Sequence, residues 1–223
     1  MRDARVAVYH PARRFARMEV RTARGDGVWI MESVLLETPT GITARLGWDP
    51  KLPEHDRKRL LAKELVATRL GVDPKSVRVE REAPRTFGFH TQLIAEVDGA
   101  EVPLKIRNVS FRAATVVAVS DADTAVGLDL RDAHPDDAEL HLMKRHSHLF
   151  EEDDLRKLLA HWTRVQAVRD ADGRGARVAA DHVRLDSPLS KGWIPDRKVY
   201  YQLADLSRDS WIITLAYAQA PAS

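Results

Sequence analysis

A chain of 223 residues, 44% hydrophobic and 30% charged, is long enough to bury a sizeable core as one compact unit or two small halves. Its 35 Lys and Arg residues nearly balance 33 Asp and Glu residues, and this net charge of +2 argues against a nucleic-acid or anionic-membrane partner. The absence of cysteine excludes disulfides, zinc thiolate sites and cysteine nucleophiles. Since neither a membrane-spanning apolar stretch nor a signal-peptide pattern is present, we expect a cytoplasmic protein.

The first half begins with strand-like runs at residues 5–9, 18–21 and 28–37, which predict an antiparallel sheet. Apolar residues then recur at helical spacing up to Leu70, with Pro53 suited to the first turn and Gly71 to the stop. Further strands are predicted at residues 77–80, 93–97, 101–106, 113–119 and 125–130, with a hairpin turn at Asp98-Gly99.

The second half is predicted to start near residue 115, which divides the chain into residues 1–114 and 115–223. Two helices are expected, one over about 138–146 and one whose apolar face runs from Leu155 through Trp162 to Gln166. Alternating runs at residues 178–185, 198–203 and 210–217 then predict three strands. The order of strands, helix and strands therefore roughly repeats.

Five short motifs follow one another within residues 108–175: Asn108-Val109-Ser110-Phe111, Gly127-Leu128-Asp129-Leu130-Arg131, Phe150-Glu151-Glu152-Asp153-Asp154, Trp162-Thr163-Arg164-Val165-Gln166-Ala167 and Asp170-Ala171-Asp172-Gly173-Arg174-Gly175. Their order and spacing resemble the 4′-phosphopantetheinyl transferase superfamily, and the resemblance covers residues 57–217. The resemblance implies an α+β fold of two similar subdomains about a pseudo-twofold axis, each a small antiparallel sheet with a long helix. It also implies transfer of phosphopantetheine from coenzyme A to a carrier-protein serine, with Mg²⁺ held by three acids.

The catalytic positions that the resemblance implies are only partly kept. Asp129 stands for the first acid, but Arg131 and Gln166 replace the other two, so we expect weak Mg²⁺ binding and assign no metal ligand. Val165 replaces a lysine that acts near the attacking serine, and Phe111 replaces a histidine that contacts coenzyme A phosphate. These exchanges argue against the normal family reaction.

The candidate catalytic residues are therefore Asp129 and Gln166. For coenzyme A, the candidates are Ser110, Phe111, Arg112 and Arg131. Arg131 could clamp the pyrophosphate in place of a metal, Phe111 could stack on adenine, and Arg112 is expected near the mouth of the site. Plainer interpretations stay open: Asp129 as a turn residue, Trp162 as core, and Gln166 as a hydrogen-bond partner of Asp129.

Four histidines lie near the second half's motifs, but their spacing matches no compact zinc site. We interpret them as acid or base groups for a repurposed pocket: His141, His146, His148 and His161.

Three functions remain as hypotheses. The first is a degenerate relative, a pseudoenzyme that keeps the fold and the coenzyme A or carrier-binding cleft, with an acyl or peptidyl carrier protein as partner. The second is an active holo-acyl-carrier-protein synthase with an unusual Mg²⁺ site. The third is an enzyme repurposed for a bulky or carrier-linked metabolite bound at the subdomain interface, with secondary metabolism as the setting.

Overall fold

The computed structural model describes residues 17–21, 28–81, 93–144 and 154–218. These ranges contain thirteen β-strands and three α-helices, so the predicted α+β class is confirmed. The predicted strand at residues 5–9 lies outside them, as do His146, His148 and most of the Phe150 motif. No helix within the described ranges is long and apolar enough to cross a membrane.

The three helices begin and end largely where the sequence predicts. In α1 (Glu54–Leu70), Gly71 adopts a left-handed φ of 67°, and its N–H donates to the Ala67 carbonyl to end the helix. Helix α2 (Asp137–Lys144) is short. Helix α3 (Leu155–Ala171) begins at Asp154, whose carboxylate accepts hydrogen bonds from the N–H groups of Arg156 and Lys157.

The first sheet has eight antiparallel strands. The spatial order is β1-β2-β3-β8-β7-β5-β4, with the short β6 paired to β5. The strands are β1 (Arg17–Arg21), β2 (Val28–Leu36), β3 (Ile42–Trp48), β4 (Val77–Arg81), β5 (Leu93–Val97), β6 (Ala100–Glu101), β7 (Leu104–Phe111) and β8 (Ala114–Asp121).

The second sheet has five antiparallel strands in the order β10-β11-β12-β13-β9. The strands of the two sheets are connected in the same way. In each sheet, one strand precedes a long helix, and the helix is followed by a meander of strands. The last strand of that meander pairs with the strand that preceded the helix. Thus β3 precedes α1 and pairs with β8, while β9 precedes α3 and pairs with β13. The strands are β9 (Ala125–Asp132), β10 (Arg184–Leu185), β11 (Lys191–Trp193), β12 (Tyr200–Asp205) and β13 (Trp211–Ala218).

The fold has four layers, α1, the first sheet, the second sheet and α3, with an apolar core between each neighbouring pair. Helix α1 packs on the outer face of the first sheet, around Leu61 and Val117. Helix α3 packs on the outer face of the second sheet, around Leu159 and Ile212. Between the sheets lies a third core that both supply: Val34, Leu36, Ile42, Ala44, Leu46, Ala114, Val116, Ala118, Val126, Leu128, Leu130, Leu206, Ile213 and Leu215.

Two parts of the fold differ from the sequence-based expectations. The strand predicted over residues 178–185 is wrong except at its end, because two 3₁₀ turns, Gly175–Arg177 and Ala180–His182, occupy most of the segment. Strands β3 and β11 were not predicted. The expected division after residue 114 falls at the start of β8, which pairs within the first sheet, and the chain changes sheet at residues 122–124.

Candidate functional site

Strand β9 presents Asp129 and Arg131 on the same face, toward α3. Successive side chains of a strand alternate between its two faces, so residues two apart share one. The even-numbered residues Val126, Leu128 and Leu130 pack between the sheets. The odd-numbered positions of the Gly-x-Asp-x-Arg motif therefore form the candidate site.

Gly127 allows α3 to lie directly against β9. A Cβ atom built at this position would lie 2.1 Å from the Ala171 nitrogen and 2.2 Å from the Ala167 oxygen. Real Cβ atoms do not approach backbone this closely, so any larger residue would push the helix away. The motif glycine thus has a packing reason, independent of ligand chemistry.

The carboxylate of Asp129 is held by the guanidinium of Arg131. Arg131 Nε donates to Oδ2 at 3.1 Å, and Nη2 donates to Oδ1 at 3.2 Å. Asp129 is only 6% exposed. Burial raises its pKa to about 6, although Arg131 acts in the opposite direction, and the nearby Asp170 adds to the rise. Both carboxylate oxygens of Asp129 are thus engaged by a cation.

Gln166 on α3 bonds to its helix neighbour and not to Asp129. Its Oε1 accepts a 2.6 Å hydrogen bond from Arg169 Nη1. Its buried Nε2 has no hydrogen-bond partner among the described residues. Asp170, where the family has a lysine, accepts a 3.0 Å hydrogen bond from the Leu128 N–H and so ties α3 to β9.

Phe111 lies near two guanidinium groups. The guanidinium carbons of Arg112 and Arg131 are 5.1 Å and 5.6 Å from its ring centre, within the range of cation–π contacts. Arg131 is also 3.9 Å from the carboxylate of Glu139. Arg112 forms ion pairs with three acids: Asp132 at 3.2 Å, Asp136 at 3.4 Å and Glu139 at 3.7 Å.

Ser110 faces the other side of the first sheet. Its hydroxyl is 2.9 Å from that of Thr115, which accepts a 3.0 Å hydrogen bond from Arg57 Nε. Arg57 is 4% exposed and was not predicted to be buried. Its remaining hydrogen bonds go to the carbonyl oxygens of Asp49, Leu52 and Arg112. The structure thus groups Phe111, Arg112, Asp129 and Arg131, and leaves Ser110 outside.

The residues present do not fit a magnesium site. No group of three or more His, Cys, Asp or Glu side chains in the described ranges is arranged to hold a metal ion. More directly, the carboxylate of Asp129, which the resemblance equates with the first metal-binding acid, carries a bidentate arginine. The surroundings also suit a pyrophosphate poorly, because two guanidiniums face four carboxyl groups there: Asp129, Asp132, Asp136 and Glu139.

Val165 and His161 lie on a different side of α3 from the Asp129 cluster. Both line a cavity formed with residues 183–189, beside β10. Thr163, in contrast, faces β13, where its hydroxyl is 2.9 Å from that of Thr214. The position equated with the family lysine is therefore turned away from Asp129.

No protein-family model matches this chain, and no curated protein matches it significantly. Its function must be argued from the residues described above.

Proposed function

We propose that this chain is a degenerate phosphopantetheinyl transferase-like protein, a pseudoenzyme for the normal transfer reaction. In this proposal, the interface between the two subdomains beside β7 and β9 holds a bulky or carrier-linked metabolite, for binding or for new chemistry. The partner is an acyl or peptidyl carrier protein, and the setting is the cytoplasm. The observation that supports the proposal is the bidentate Arg131–Asp129 pair, in which a cation engages the one carboxylate that the resemblance assigns to magnesium and this chain keeps.

The family arrangement of two similar subdomains about a pseudo-twofold axis belongs to the same proposal. Its support is the strand path common to both sheets, each with one long helix on its outer face. The motif residues support it as well, since those of β7 and those of β9 meet at Phe111. Neither observation depends on the lost catalytic side chains.

Titration calorimetry with coenzyme A, with and without Mg²⁺, tests the proposal. We expect Mg²⁺ to leave the coenzyme A affinity unchanged, or no binding at all, because Asp129 is not available as a metal ligand. Binding that ignores Mg²⁺ and weakens in Arg131→Glu would identify Arg131 as the substitute cation and coenzyme A as a retained ligand. Tight binding that requires Mg²⁺ would contradict the proposal.

The rival candidate is an active holo-acyl-carrier-protein synthase, and the surviving Asp129 favours it. Magnesium often keeps several waters and few protein ligands, so Asp129, waters and a substrate phosphate could hold it. This candidate predicts a Mg²⁺-dependent mass gain of 4′-phosphopantetheine on an apo carrier protein. The gain should disappear in Asp129→Ala, and its absence with several carriers would count against the candidate.

A further inference from the structure

A cavity of about 330 Å³ lies between α3 and residues 183–189. We propose that it binds a small carboxylic acid with an apolar body. Its volume is at the small end of the range for ligand pockets. The lining residues are His161, Val165, Val183, Arg184, Leu185, Asp186, Ser187 and Leu189.

The inner wall of this cavity is apolar. Val165 and Val183 are buried, while Leu185 and Leu189 are partly exposed. A lysine at position 165, as the family pattern has it, would project an ammonium group toward this space. With valine there, the cavity suits an alkyl or aryl group, since burying such a surface is favourable.

Hydrogen bonds hold the rim of the cavity against α3. Leu189 has a φ of 57°, a backbone conformation that is uncommon for a residue with a large side chain. Its carbonyl accepts a hydrogen bond from Arg164 Nε at 3.3 Å, which ties the rim to α3. Its N–H donates to the Asp186 carbonyl at 2.9 Å. These contacts keep the strained turn in place, so little ordering is required on binding.

The carboxylate of Asp186 is committed to the same turn. It accepts hydrogen bonds from the Ser190 N–H at 2.7 Å, the Ser190 hydroxyl at 2.7 Å and the Lys191 N–H at 2.8 Å. Three donors therefore occupy both of its oxygens within the turn, which leaves it fewer hydrogen bonds to offer a cationic ligand.

Arg184 supplies the cation for the ligand carboxylate. One of its terminal nitrogens, Nη1, donates to the Asp181 carbonyl at 2.5 Å. Within the described ranges no carboxylate forms an ion pair with it, and a guanidinium carries five N–H donors. The imidazole of His161 lines the facing wall. An apolar wall, a cation at the mouth and a facing imidazole together favour an amphipathic acid.

This site does not depend on the function proposed above. Strands β9 and β10 form opposite edges of the five-stranded sheet, roughly 19 Å apart across four strand spacings, and His161 and Val165 line the cavity from a different side of α3 than the one that faces Asp129. Coenzyme A bound beside β9 would leave the cavity open. Saturating coenzyme A is therefore expected not to change the affinity for the acid, and failure of one proposal leaves the other standing.

Calorimetric titration of the full chain with octanoate, 1-octanol and octylamine tests the inference. We expect saturable octanoate binding, about tenfold weaker binding of 1-octanol, and still weaker binding of octylamine, because only octanoate pairs with Arg184. No saturable octanoate binding, or equal binding of octanoate and 1-octanol, overturns the proposal. Tighter binding of octylamine than of octanoate overturns it too, since the carboxylate of Asp186 would then make the site prefer a cationic ligand.

Two variants locate the site. Arg184→Gln should weaken octanoate binding about tenfold without affecting 1-octanol, because only the charged contact is lost. Val165→Trp should abolish binding of both by filling the cavity, with circular dichroism used to check its fold. The control is Arg156→Gln, an exposed position on the first turn of α3. Unchanged octanoate affinity in Arg184→Gln overturns the proposal even if Val165→Trp does not fold.

Discussion

At the residue scale, the Asp129–Arg131 pair determines what the site can do. Their spacing of two already predicts that both side chains lie on one face of a strand, and the structure confirms that they do. The sequence could not tell whether the guanidinium turns to a ligand or to its neighbour. In the structure the guanidinium turns to Asp129. Burying an unpaired carboxylate costs free energy, and two hydrogen bonds from an arginine compensate for much of this cost.

The raised pKa of Asp129 predicts a pH-dependent stability. Between its ordinary pKa of 3.8 and the folded-state value of about 6, the folded protein holds a proton that the unfolded chain has released. The free energy of unfolding should therefore decrease as pH rises through this window, by about 3 kcal/mol for this group at 1.36 kcal/mol per pH unit. Urea unfolding between pH 4 and 7 measures the slope.

The matched variant is Asp129→Asn, which cannot ionise. We expect the slope to become flatter in this variant and to stay unchanged in the control Asp123→Asn, at an exposed position. Equal slopes for the wild type and Asp129→Asn would contradict the assignment of the titration to Asp129.

Placing acids at the two positions where the family resemblance expects carboxylates should create metal affinity. In the double variant Arg131→Glu with Gln166→Glu, Asp129 loses its guanidinium partner and gains two carboxylates of the kind that Mg²⁺ prefers. We expect Mg²⁺ affinity to rise at least about tenfold over wild type by calorimetry. Arg131→Gln with Gln166→Glu is the control, since it removes the cation but adds one carboxylate fewer. If the two variants bind Mg²⁺ equally, position 131 does not face the metal.

At the element scale, the close contact between α3 and β9 depends on one glycine. Gly127→Ala should lower the free energy of unfolding by about 3 kcal/mol, because the new Cβ collides with helix backbone and not with a flexible side chain. Thermal or urea unfolding measures the loss. Gly99→Ala is a useful comparison: it has positive φ but nothing within 4 Å, so only backbone strain of about 1 kcal/mol is expected. A loss at Gly127 no larger than at Gly99 would contradict the close packing.

Helix α1 is tied to the β7–β8 turn by Arg57. Replacing this buried guanidinium with methionine leaves its oxygen acceptors without a donor, so we expect a loss of about 3 kcal/mol in urea unfolding. Arg57→Lys should rescue little, because an ammonium cannot reproduce the planar fork. Arg59→Met, at an exposed position on the same helix, should change the stability by less than about 0.5 kcal/mol. Full rescue by lysine would contradict the importance of the fork.

Local signals explain which elements the sequence predicts well. The end of α1 at Gly71 and the turn at Asp98-Gly99 depend on glycine at positive φ, and both predictions are confirmed. Residues 178–185 mislead because Val178 and Ala180 are buried two residues apart, a spacing typical of a strand, although the next buried residue, Val183, breaks it. Their burial comes from 3₁₀ turns beneath α3, a tertiary contact that the alternation of apolar residues does not encode. The burial of Arg57 likewise depends on distant carbonyl groups.

At the scale of the whole molecule, the core between the sheets joins the two halves. Leu215, fully buried there, packs with residues of both sheets. Leu215→Ala should lower the stability by about 3 kcal/mol and still give a single transition by tryptophan fluorescence and circular dichroism, since neither sheet can keep its inner face dry alone. Leu61→Ala, in the core under α1, is the matched comparison. Two separate transitions in either variant would contradict the shared core.

The strand path also has a consequence for the growing chain during synthesis. Among the described strands, β9 pairs only with β13, so Asp129 meets its neighbour Thr214 about 85 residues later. Until β13 has left the ribosome, β9 has no backbone partner from the described strands, whereas β3 already has β2 on one side. The strand that carries the candidate site is therefore among the last to be fixed. Contacts of such long sequence separation slow folding, and a nascent chain ending before β13 would leave this strand as an open edge.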